Sequence, residues 1–223
     1  MEMKRNVKAI LRIEKDSAVE EIVNDIQNEY LAKGVTKNEF AKRVLAGEFE
    51  DIFDENIEAF MRKSKLRLLD DDRRQEVARV EMTDFCAEDI CYFISNIKKV
   101  IGNVSDEYSE LFNMLDLAGF NYSADGFMLP NLMYIDDLKV HSESCSDISI
   151  TLDAIISVAK LHPNTAGTSK VMIACYPESE NVRRVMRDRC FMTVGNSNLM
   201  LLIVDTDRIA ISGYKPCEPP AFM

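Results

Sequence analysis

Histidine is scarce in this chain: of 223 residues, only His141 and His162 carry an imidazole. A zinc site would have to recruit distant cysteines, and Cys86, Cys91, Cys145, Cys175, Cys190 and Cys217 include no CxxC pair. They read as reduced, mostly buried thiols without a disulfide framework. No apolar run approaches the roughly 18 residues that span a bilayer, and residues 1–12 lack the uninterrupted apolar region of a signal peptide. A cytoplasmic protein that does not enter a membrane is expected. Also missing are the phosphate-cradling GxGxxG and GxxxxGKS/T loops, the GxSxG elbow and HExxH, along with internal repeats and low-complexity linkers.

What is abundant is acid. Asp and Glu outnumber Lys and Arg by 38 to 27, for a net charge of −11. The excess runs through both halves: residues 1–100 carry 18 basic and 22 acidic side chains, and residues 101–223 carry 9 and 16. Such a surface disfavours nucleic-acid phosphates and favours basic protein surfaces. Length and a 47% hydrophobic content suffice to bury a proper core.

Helical periodicity dominates the first half. Ser17 with Glu20, and Thr36 with Glu39, form capping boxes. Behind the first, Val19, Ile22, Val23, Ile26 and Tyr30 share a face until Gly34; behind the second, Phe40, Val44 and Leu45 do so until Gly47. Phe49, Ile52, Phe53, Ile57, Phe60 and Met61 predict another amphipathic helix, whose solvent face carries Glu48, Glu50, Asp51, Asp54, Glu55 and Glu58. Arg62, Lys63, Lys65 and Arg67 would close it at the negative end of its dipole, and Asp70, Asp71 and Asp72 would open the next helix. Further helices are expected around Ile90 to Ile101 and from Ser105 to Gly119.

From Phe127 the period changes. Short strands are predicted at 127–129 and 132–135, with an extended piece through Leu138 and Val140, then a helix over 148–161. A continuous apolar strand at 171–175, a helix from Glu180, a buried strand at 199–204 and an edge strand at 209–211 follow. The expected fold class is α+β. A helical region, 1–120, precedes a three-layer α/β domain, 121–215, with a mostly parallel β-α-β-α-β sheet and an edge strand, and 216–223 form an extended tail.

In such sheets ligands lie beyond the carboxyl ends of strands, which points to Tyr176, Glu178, Asp205 and Asp207. The order of pieces from the helix at 105–117 through Ser123-Ala124-Asp125-Gly126-Phe127, the extended Leu138 to Ser144 and the later helices and strands to 212 resembles the restriction-endonuclease-like nuclease core. The resemblance implies a metal ion, magnesium or manganese, held by Asp125 and Glu143, with Asp125, His141 and Glu143 as the catalytic set. His141-Ser142-Glu143 departs from the family's Glu-x-Lys at both ends, which implies an inactive or repurposed version. Residues 34–44 (GVTKNEFAKRV) resemble the middle of a repressor-type helix-turn-helix, but the acidic helix that follows would repel DNA.

The reading these features support is a regulatory, non-enzymatic protein that binds another macromolecule, a protein in the first instance, and needs no cofactor. Its expected contacts are the acidic Glu50, Asp54 and Glu58 and the cationic Arg183, Arg184 and Arg187. A metal-dependent nuclease or phosphodiesterase is the alternative, and a helix-turn-helix regulator the third possibility.

Overall fold

Between Met61 and Asp70 side chains alternate in burial: Ser64, Leu66, Leu68 and Asp70 turn inward, while Lys63 and Arg67 face water. That is the period of a strand rather than a helix. In this computed structural model, which describes residues 6–94, 96–122, 129–142, 144–161 and 170–206, the segment is strand β2 (Met61–Asp70), paired antiparallel with β3 (Gln75–Phe85). The three aspartates do not open a helix but make the turn of this hairpin. Asp70 Oδ1 accepts the Arg73 N–H at 3.0 Å, and Arg74 adopts a φ of 53°. The basic residues Arg62 to Arg67 accordingly lie along β2, not at a helix terminus.

Around the hairpin the chain runs β1 (Val7–Lys15), α1 (Val19–Ala32), α2 (Lys37–Leu45), α3 (Glu50–Glu55) and a 3-10 turn (Ile57–Phe60) before β2. After β3 come α4 (Ala87–Phe93), α5 (Ile97–Ile101), α6 (Asp106–Leu117), β4 (Asn131–Val140), α7 (Cys145–Lys160), β5 (Lys170–Cys175), α8 (Glu180–Asp188), β6 (Met192–Thr193) and β7 (Met200–Asp205). All strands join one 7-stranded sheet in the order β1-β2-β3-β4-β5-β7-β6.

The mostly parallel sheet expected from the sequence is therefore incorrect. Only β4 and β5 are parallel, joined by the crossover helix α7; every other neighbouring pair is antiparallel. After α8 the chain reverses once more in the β6–β7 hairpin, where Val194 N–H donates to Leu199 O at 3.0 Å and Gly195 takes a φ of 52°. That extra reversal brings β7 back antiparallel to β5. The first half is not all helical either, since it supplies β1, β2 and β3.

Helices cover both faces. On one, Ile26, Phe40, Phe53, Ile90, Leu111 and Phe112 pack with sheet residues such as Phe85, Leu132 and Tyr134. On the other, Ile148, Leu152, Ile155 and Met186 cover Leu66, Val80, Met133 and Ile173. β5 alternates between the two cores, so its whole apolar run is buried, as its composition predicted. No helix among the described residues is long and apolar enough to cross a membrane.

Candidate functional site

The acidic stretch splits into two short pieces rather than one helix. Ala18 N–H and Ser17 Oγ both donate to Ala59 O at 2.9 Å, which ties the start of α1 to the 3-10 turn and uses the serine expected to cap α1. Between α1, the α3 region and the segment after α5 lies a groove of about 530 Å³. Ala18, Ile22, Ile57 and Val104 give it apolar lining, and Asp54, Glu55 and Glu58 give it carboxylates. Glu58 pairs with Lys15 at 2.8 Å, and that contact holds its carboxyl below the usual range.

Asp54 differs from its neighbours. Its Oδ1 is buried and accepts no hydrogen bond, while burial first, and then the charge of Glu50, pushes the carboxyl upward in pKa; Lys99 opposes this. A buried acceptor without a donor carries an unmet desolvation cost. The groove is thus an apolar-lined cleft that also carries the side chains of Asp54, Glu55 and Glu58.

A second polar cluster, which the sequence reading missed, sits at a bulge in β4. Glu81 pairs with Asp137 and Met82 with Ile135, leaving Asp136 as the extra residue. Its pairing with β5 ends at Ile135, so β4 and β5 part beside it. Asp136 accepts from Tyr108 Oη at 2.6 Å and from Thr83 Oγ1 at 2.8 Å, and these two hydroxyls lie 3.0 Å apart. Burial raises the Asp136 carboxyl pKa against the pull of both hydrogen bonds. Tyr134 donates to Glu107, and its ring meets Tyr108 and Tyr176 edge-on. The Tyr176 hydroxyl is buried without a hydrogen-bond partner, and burial pushes it up to about 12. Nearby Asp84 is 8% exposed, and burial pushes its carboxyl up to about 7, opposed by Arg62 and reinforced by Asp136. The consecutive Asp136-Asp137 inside an apolar strand is the sequence signal that marks this place.

The residues of the nuclease resemblance fare differently. Asp125 and Glu143 lie outside the described residues. His141 is exposed beyond β4, with Nε2 3.2 Å from Glu76 Oε1. Burial alone would raise Glu76, but His141, Arg67 and Arg79 outweigh it and leave the carboxyl below its usual range. Among the described residues, no three His, Cys, Asp or Glu side chains are placed to hold a metal ion.

No protein-family model matches this chain, and no curated protein does. Among solved structures, it aligns with the ribosomal-protein-S5-alanine acetyltransferase from Vibrio fischeri over 93% of this chain and 97% of that one, with 12% identity and a TM-score of 0.31. None of these comparisons bears on the nuclease resemblance.

The remaining predicted contacts are spread out. On α8, Arg183 reaches Asn198 at 2.9 Å and Glu180 at 3.6 Å, Arg187 reaches Glu180 at 3.4 Å, and Arg184 meets Cys145 Sγ at 2.9 Å. Glu50 and Asp54 are half-buried on α3, and Glu58 is exposed on the turn after it. Glu178 and Asp205 are exposed, and Asp207 lies outside the described residues.

Proposed function

We propose that this chain is a non-enzymatic regulatory protein that binds a basic segment of another protein in the groove between α1 and the α3 region. The observation that carries the reading is the groove's combination of the Asp54, Glu55 and Glu58 carboxylates with an apolar lining. A lysine or arginine side chain would pair with these carboxylates, and its aliphatic stem would cover Ile22. The net charge of −11 adds long-range attraction for such a partner.

Fluorescence anisotropy with a labelled peptide of alternating lysine and leucine, set against its glutamate-for-lysine counterpart, tests this directly. Binding of the basic peptide alone is expected, weakening as salt rises. Asp54→Asn should weaken it by about tenfold, corresponding to one charge-assisted hydrogen bond. Equal binding of both peptides, or binding indifferent to Asp54→Asn and to Ile22→Asp, would refute the assignment.

A further inference from the structure

Strand β1 forms one end of the sheet, and no described strand pairs with its outer side. It is nonetheless long, nine residues, and exposed nearly throughout. The direction of its backbone groups follows from one hydrogen bond. Asp71 N–H donates to Asn6 O at 3.0 Å, in the register that places Val7 opposite Asp70. In an antiparallel ladder such hydrogen-bonded pairs alternate with non-bonded ones, so the even-numbered residues of β1 turn their N–H and C=O groups toward β2. Those of Val7, Ala9, Leu11 and Ile13 point outward, unpaired within the described sheet.

The same odd-numbered residues form an apolar face. Leu11 lies opposite Leu66 and Ala9 opposite Leu68, both partners being buried in the core beneath α7 and α8. Leu11 and Ile13 nevertheless remain 47% and 49% exposed. Charged edge residues normally deter a second strand. Here Lys8, Arg12, Glu14 and Lys15 instead select among registers.

We infer that the outer edge of β1 pairs antiparallel with β1 of a second copy, about a two-fold axis through Leu11. In that register Ala9 and Ile13 of opposite copies, and Leu11 with Leu11, form hydrogen-bonded pairs using the outward groups, and they continue the apolar face. On the opposite face Ile10 meets Arg12, and Lys8 meets Glu14 of the other copy at the β1 bulge. There Glu14 is the extra residue between Ile13 and Lys15, and its carboxylate also pairs with Lys65 of its own chain at 3.0 Å. Moving the axis one residue either way also keeps the outward groups in phase, but one shift sets Lys8 against Arg12 and the other sets Arg12 against its own copy. Like charges directly opposite are unfavourable, and an isologous contact repeats each cost twice. Of these three registers, only the Leu11-centred one pairs opposite charges, over the stretch from Lys8 to the bulge at Glu14.

The test is sedimentation equilibrium of the full chain over a concentration series. Wild type should show a reversible monomer–dimer equilibrium. Lys8→Glu and Glu14→Lys should each raise the dimer dissociation constant on the order of tenfold, since each puts like charges opposite one another twice. The double variant Lys8→Glu/Glu14→Lys should restore it, and the two single variants mixed together should form heterodimers. A strictly monomeric wild type would overturn the inference, whether the edge stays bare or takes a segment of another protein. So would a dimer indifferent to both single variants, or a double variant that is not restored. Lys15, at the end of β1, lines the groove at Asp54, but neither Lys8 nor Glu14 does, so each outcome is read separately from peptide binding there.

Discussion

Burial gives individual side chains of this protein chemistry that their residue types alone do not carry. Asp84 has its carboxyl pushed up to about 7 from an ordinary aspartate value of about 4. The folded state therefore holds a proton that the unfolded chain releases, so this group's contribution is most favourable below about pH 4 and declines as pH rises to about 7. Asp136, also raised, contributes in the same direction. Asp84→Asn should stabilise the fold at pH 8 by a few kcal/mol on the order implied by that shift, with the gain shrinking toward pH 4 in urea titrations. A gain of the same size at both pH values would contradict the proton linkage. Among thiols, burial pushes Cys175 up to about 12, whereas Cys145 and Cys190 are exposed. Maleimide should label Cys145 and Cys190 in the native protein and reach Cys175 only on unfolding, as read by peptide mass spectrometry. The exposure of Cys145 and Cys190 departs from the expectation of mostly buried thiols.

Local signals read well where the chain satisfies them locally. Thr36 accepts from Glu39 N–H at 3.3 Å and Ser105 from Tyr108 N–H at 3.4 Å, as the capping patterns indicated. Ser17 does not cap α1: Ala18 stands at the N-cap position, and the Ser17 hydroxyl is turned to Ala59 O, distant in sequence, to which it donates. The acidic helix ends early because Met61 begins β2, whose alternation of buried and exposed residues follows directly on a helical pattern. At the β2–β3 turn, Asp70 is 1% exposed and holds Arg73 N–H. Asp70→Ala should cost about 1–3 kcal/mol by removing that acceptor and leaving the amide without it, measurable as a lower denaturation midpoint with an unchanged m-value. An unchanged midpoint would show that the turn holds without the aspartate.

Across the whole molecule, a single sheet links both halves of the chain through the β3–β4 pair, registered from Ala78–Val140 to Phe85–Leu132. Circular dichroism and intrinsic tyrosine fluorescence should therefore report one coincident unfolding transition. A fragment ending at residue 120 loses the partner strand of β3 and should lack a cooperative transition; a cooperative fragment would mean that the first half folds alone.

Several properties were determined by the sequence itself: the net acidity, the caps at Thr36 and Ser105, the buried run of β5, and the cluster of acids around Asp54, whereas β7, expected to be buried throughout, leaves Ile203 39% exposed. Each depends on composition or on neighbours within a turn or two. Tertiary structure decided the rest. Strand direction, the partners of β1 to β3, the bulge at Asp136 and the isolation of the Asp54 oxygen all arise from residues far apart in the chain. A periodic pattern shows which face of an element is apolar, but a backbone hydrogen bond can be made to any strand with a free edge. Which edge is available is set only when the layers pack, and the same packing leaves the outer edge of β1 unpaired by any described strand.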